Sequence, residues 1–385
     1  MSINKSPIIE LPVQICLNEE GEEYFSKMGV PLKSVKGITG RKKLGFQSNT
    51  LEVPFLKTLL RQNYFEEIYT YAITLIEKKE MLQDVTKLIF YNIIYNKFRP
   101  HVTEVLLSSE LVERYNQKNP THKITHKTSF NESKIKEFFN SRKQVIAGLI
   151  NKILEKPFKV IDEDKEIKEK DEKKGIMKTF VQHISLKEWF LFFLITNNQE
   201  ERDKIITQIS DLMITYLGKT KISDYIGFLL IELAQNSEKA SLSKIVSIKK
   251  LAEDVDIFLK DRANREKIMD MAKQMNYFIE VSWRIKYLEG SGPLASIRYE
   301  LMVSNRGVIP KNLRKKIKDK SQADVEGLSL ADFYQDSGQA LGAGLGLFYI
   351  SYITDESKPQ GIRFDTTIES DDDKDTTYVL LRFTI

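Results

Sequence analysis

Two stretches near the C-terminus constrain the fold more than anything else in this chain. Ile279, Val281, Trp283, Ile285 and Tyr287 alternate with Glu280, Ser282, Arg284 and Lys286. After Gly290-Ser-Gly-Pro293, Ile297, Tyr299, Leu301 and Val303 alternate with Ser296, Arg298, Glu300 and Met302. A period of two over that length predicts a β-hairpin with one apolar face. A second hairpin is expected at the end, with Ile362, Phe364, Thr366 and Ile368 on one strand and Val379, Leu381 and Phe383 on the other. Asp371 to Asp375 lies between them and reads as a solvated turn rather than a metal site. Helical patterns fill most of the remaining chain. The expected fold class is therefore α+β: two layers, with helices on one face of a mixed, mostly antiparallel sheet. A largely helical N-terminal region with a few short strands is expected to precede it.

In that region, Pro12 to Leu17 alternates and predicts a strand. Gly37-Ile-Thr-Gly40-Arg-Lys-Lys43 lacks the second half of a phosphate-binding loop and reads as a basic surface turn. From about Thr50 to Phe98 apolar residues recur at helical spacing, and Arg99-Pro100 is expected to end the run. Lys134 to Leu154 predicts another helix. Asp162 to Lys174, DEDKEIKEKDEKK, is almost wholly charged and cannot bury a core. Three regions follow: 1–160 as an input or partner-binding region, 161–175 as a charged linker, and 176–385 as the domain that carries chemistry. Within the last, Ser223 or Asp224 is a candidate cap for a helix through Ala240, and a charged helical stretch runs to about Met275.

Composition excludes several function classes. The formal charge is +5 on 385 residues, and both signs are mixed throughout, so no basic face for nucleic acid is expected. Cys16 is the only cysteine, so no intrachain disulfide can form, which suits a cytoplasmic setting. No apolar N-terminal leader is visible. The most apolar runs fall short of the about 20 residues needed to span a bilayer, and no transmembrane segment is expected.

The chemistry is expected from three polar elements. Phe228 to Ala240 reads as a helix on which Glu232, Asn236 and Lys239 share one face, with Ile226, Leu229, Leu230 and Leu233 on the other. A carboxylate and an amide on an apolar helix are costly to bury unless something uses them. Val303-Ser-Asn-Arg-Gly-Val-Ile-Pro310 ends a strand. Gly342-Ala-Gly-Leu-Gly-Leu347 then runs into the apolar helix Phe348 to Ile353, a geometry that offers backbone N–H groups to a phosphate.

These elements, in this order, resemble the GHKL superfamily, the ATP-binding fold of DNA gyrase, the 90-kilodalton heat-shock chaperones, sensor histidine kinases and MutL. Glu232-Leu-Ala-Gln-Asn236 resembles the N-box, Val303 to Pro310 the G1 box and Gly342 to Leu347 the G2 box. The likeness covers residues 176–385. It implies Mg²⁺ held by Asn236, with Glu232 as the catalytic base. It further implies ATP bound by Asn236, Lys239, Asn305, Gly307, Gly342, Gly344, Leu345 and Gly346. Lys311 to Gly338 would be a lid, with Phe333 as its aromatic, and Lys239 points to the kinase branch. Two departures stand out. Asn305 replaces the usual G1 aspartate and only Gly307 follows it, and Ser241 to Met275 is longer than the family requires. None of His101, His122, His126 or His183 has a phosphoacceptor setting. The resemblance thus implies a kinase that phosphorylates itself or a partner protein in signal transduction, or else a non-catalytic nucleotide-gated switch. The N-terminal half would hold a protein partner, and a homodimer is compatible with either.

Overall fold

The computed structural model describes residues 8–37, 40–165, 167, 169–182, 184–288, 296–308 and 345–385. The protein is a mixed α+β chain with an antiparallel sheet. It divides into two compact units. One is built from Ile93–Lys221; the other from Pro7–Asn92, Ile222–Glu289 and Ser296–Ile385.

Among the described residues, ten strands occur in order: β1 Ile8–Ile9, β2 Val13–Leu17, β3 Lys33–Lys36, β4 Lys42–Ser48, β5 Leu51–Glu52, β6 Phe65–Ala72, β7 Ile279–Tyr287, β8 Ile297–Arg306, β9 Arg363–Asp371 and β10 Thr376–Thr384. The helices are α1 Glu19–Lys27, α2 Val53–Gln62, α3 Lys79–Leu107, α4 Glu110–Lys118, α5 Glu132–Glu163, α6 Lys170–Gln182, α7 Leu186–Ile195, α8 Gln199–Lys249, α9 Val255–Lys260, α10 Arg262–Gln274 and α11 Leu345–Ser357.

The sheet-containing unit is organised by one eight-stranded sheet of order β3-β4-β2-β6-β7-β8-β10-β9, antiparallel at every described pairing. The two expected hairpins are there. Trp283 faces Leu301, and Leu301 faces Leu381. Extended through β6 and β2, this row adds Ile68 and Ile15, and all five side chains are buried. Helix α3 covers this face. Thr86 accepts a hydrogen bond at 2.9 Å from the Trp283 indole N–H, and the Phe90 ring lies 6.0 Å from Tyr299 and 5.8 Å from Phe383. Next to α3, α8 meets α11 through Tyr225 against Tyr352 and Phe228 against Tyr349.

Several expectations are corrected. Residues 50–98 are not one helical run: β6 lies inside them and bridges β2 to β7. Phe65, Ile68, Ala72 and Leu75 fit a helical period, but FEEIYTYA is rich in the branched and aromatic types that strands favour. The N-terminal strands therefore share a sheet with β7 and β8, and residues 1–160 and 176–385 are not separate bodies. Pro100 lies inside α3 and does not end it. The expected linker at 161–175 is entered by α5 and left by α6. Its charge run hides a buried lysine, Lys173, whose ammonium donates to the Thr220 carbonyl at 3.0 Å. Ser223 and Asp224 cap nothing, because α8 continues through them. The apolar positions Ile209, Met213, Tyr216, Ile222, Ile226 and Leu230 are all buried and carry the helix across without a break.

The helical unit holds the α4–α7 segment. Its core includes the Phe98, Phe180 and Tyr216 rings, and His101 bonds the Tyr216 hydroxyl. Ser185 and Glu188 form a capping box that starts α7. Among the described residues, no helix is long and apolar enough to cross a membrane.

Candidate functional site

Helix α8 carries Glu232, Asn236 and Lys239 as their spacing requires. Glu232 is half-buried, while Asn236 and Lys239 are exposed. Burial holds the Glu232 carboxyl above the usual carboxylate range. A carboxylate shifted that way is a stronger proton acceptor than a solvated one. Lys239 is 3.0 Å from Asp256 of α9, an exposed pair of little energetic weight that a ligand phosphate could displace. On the adjoining face, Glu238 is 1% exposed and is paired with Arg265 of α10, its second oxygen buried without a partner. Around that pair, Leu242, Ile245 and Val246 pack on Ile268, Ala272 and Tyr277. The extra length between Ser241 and Met275 thus makes a small second core that braces the C-terminal half of α8.

The end of β8 is held just as closely. Gly307 has φ of +118°, which a side chain rarely adopts. Its N–H donates to the Asp375 carbonyl at 2.8 Å, and its carbonyl accepts from the Thr377 hydroxyl at 2.6 Å. A Cβ at this position would lie 3.3 Å from Lys244 Cδ, and Lys244 forms an ion pair with the Asp375 carboxylate. Asp371 accepts from the Asp373 and Lys374 amides, so the acidic run forms the β9–β10 turn.

Asn305 sits buried at the end of the apolar face, opposite Ile279 on one side and Thr377 on the other. Its Nδ2 donates to the Arg306 carbonyl at 3.0 Å. A carbonyl only accepts, so this bond fixes which end of the amide is the donor and turns Oδ1 the other way as an acceptor.

The structure brings the β8 end against Lys244 rather than against Asn236. The two positions are eight residues apart on α8, about 12 Å along its axis. A ligand touching both Asn305 and Asn236 would have to span that distance. Gly342, Gly344, the expected lid Lys311 to Gly338 with Phe333, and Ile309-Pro310 lie outside the described residues, as does His183. Leu345 and Gly346 fall in the first turn of α11. Lys244, Asp375 and Thr377 were not read from the sequence. The closing-hairpin turn was the available signal for Asp375 and Thr377, but their partners are distant in sequence. Of the remaining histidines, His101 packs on Tyr216, and His126 contacts Glu104 at 3.0 Å.

Residues 4–385 match the family of unknown function DUF8084. The chain belongs to that family. An uncharacterized protein of Treponema pallidum (strain Nichols) is 24% identical over 390 residues, covering 99% of each chain. No solved structure gives a significant match, and neither match carries a GHKL description.

Proposed function

We propose that this DUF8084 member is a Mg-ATP-binding, histidine kinase-like protein of the GHKL type. It transfers the γ-phosphate to a protein acceptor, itself or a partner, in cytoplasmic signal transduction. The observation that carries the reading is Glu232, half-buried and shifted upward, one helical turn from an exposed Asn236. An exposed amide oxygen suits Mg²⁺, a hard cation that keeps several of its waters. A poised carboxylate beside it suits proton removal from an attacking hydroxyl or water. The order of elements supports the same reading: helix, antiparallel hairpin, glycine-rich segment, helix, closing hairpin. So does Asn305, whose fixed amide offers an acceptor suited to the exocyclic amino group of adenine and not to the carbonyl of guanine.

ATP and Mg²⁺ would be held by Asn236, Lys239, Asn305, Gly307 and the segment Gly342 to Gly346. The test uses the full chain, because β7 needs β6 as its neighbour. Titration calorimetry should show ATP binding that requires Mg²⁺, with Asn236→Ala losing about 1–3 kcal/mol. Equal affinity in both proteins would remove Asn236 from the site. A second reading, a nucleotide-gated switch without turnover, is favoured by the altered G1 segment, where Asn305 stands in place of the usual aspartate, and by the lack of a phosphoacceptor setting at any histidine. Incubation with γ-labelled ATP separates the two, since phosphoprotein or free phosphate requires the enzyme.

A further inference from the structure

The face of the sheet opposite α3 carries a second, unrelated constellation. Cys16 of β2 faces Glu67 of β6, which faces Arg284 of β7. Beside them lies a cavity of about 320 Å³ that Arg41 and Lys43 of the β3–β4 hairpin also line. Gly37 keeps it open: a Cβ there would lie 2.3 Å from Glu67 Oε2 and 3.5 Å from Cys16 Sγ.

The charges lining this cavity do not cancel. Lys43 is paired with Glu66. Glu300 takes Lys286 at 2.9 Å and reaches Arg284 only at 3.7 Å. Arg284 Nε is buried and makes no hydrogen bond. Arg41 is exposed and has no ion-pair partner among the described residues. Two guanidinium groups therefore face one small cavity with unused donors, and a planar fork of donors matches a carboxylate or phosphate. On the inner wall, Glu67 is 4% exposed and can accept a hydrogen bond from a ligand. The Cys16 thiol is pushed up to about 11 by burial and by Glu67, so it stays neutral and does not repel an anion.

We propose that this cavity binds a small oxyanion. A carboxylate or phosphate group is held between Arg284 and Arg41, on a ligand whose hydroxyl or ammonium group turns toward Glu67. The volume is at the low end for small-molecule sites and suits a metabolite-sized ligand rather than a nucleotide. The site shares no residue with the proposed ATP site, so the two stand or fall separately.

The test uses the full chain with inorganic phosphate, glycerol 3-phosphate and L-glutamate, and putrescine as the cationic control. Calorimetry reads binding directly. Competition between the anions reads whether they share one site. Saturable binding of one of the anions and no binding of putrescine are expected. Binding of glycerol 3-phosphate or phosphate without glutamate identifies a phosphate ligand, and the reverse a carboxylate. Arg284→Gln and Arg41→Gln should each weaken binding about tenfold or more, with ATP affinity unchanged. Arg41 is exposed, so its variant decides the matter if the Arg284 variant fails to fold. Absence of saturable anion binding, or binding that Arg41→Gln leaves unchanged, overturns the proposal.

Discussion

The two faces of the eight-stranded sheet are one residue apart along every strand and differ in almost everything else. On one face Ile15, Ile68, Trp283, Leu301 and Leu381 form a row across five strands and are buried under the helices. On the other, Cys16, Glu67, Arg284, Glu300, Arg382 and Asp365 form the adjacent row, and from Glu67 onward its charges alternate in sign. The first row supplies burial, which scales with apolar area and has no direction. The second supplies little net energy per pair, but it fixes register. A slip of one residue would set Glu300 beneath α3 and Leu301 on the charged face, a loss on both sides. Burial thus holds these strands together, and the alternating ladder specifies how they align.

The largest effect expected from this contrast is at Trp283. Trp283→Ala removes the largest fully buried side chain of the covered face and leaves Thr86 without its indole donor. A loss of about 3–5 kcal/mol is expected in chemical unfolding. A cost below about 1 kcal/mol would mean that this row is not the core. On the opposite face Glu300→Gln keeps the shape but leaves Arg284 and Lys286 without their carboxylate. A smaller loss, about 1–3 kcal/mol, is expected. The two should also differ in salt response. The Glu300 effect should shrink in high salt, where charge pairs are screened, and the Trp283 effect should not. Equal salt sensitivity would erase the distinction between the faces.

Legibility followed the same line. β7, β8 and the closing hairpin were readable because each alternates cleanly and pairs with its neighbour in sequence. β6 was not. Its Glu66-Glu67 step interrupts the alternation at the place where the register with β2 shifts between Cys16 and Leu17. Glu67 also looks like a solvent residue until Arg284 is seen opposite it. The charged run at 161–175 misled for a related reason, since the carbonyl that receives Lys173 lies at Thr220, far along the chain. In the candidate site, Glu232, Asn236 and Lys239 were readable because a helix sets their geometry locally. The clamp of Lys244 and Asp375 around Gly307 was not, because it joins a helix, a strand end and a hairpin turn that no local pattern connects.

The smallest effect expected is at Glu232, the one carboxylate on the helix layer argued to be kept for chemistry. Burial raises its folded-state pKa above the unfolded value, so between those two values the folded protein binds the extra proton. Stability contributed by that proton is complete below the unfolded value, roughly pH 4.3, and is lost as pH rises through the folded one. At neutral pH the ionised carboxylate therefore costs stability that a neutral amide would not. Glu232→Gln should unfold at a higher temperature than the wild type at pH 7, and the two should converge in acid. If Glu232 is also the base, the same variant should keep ATP affinity and lose turnover by ~10²–10⁴-fold. A variant more stable yet less active would mark Glu232 as a position where function is kept at the expense of folding. Identical melting profiles across the pH range would mean that Glu232 is fully solvated, and the argument for a poised base on α8 would fall with it.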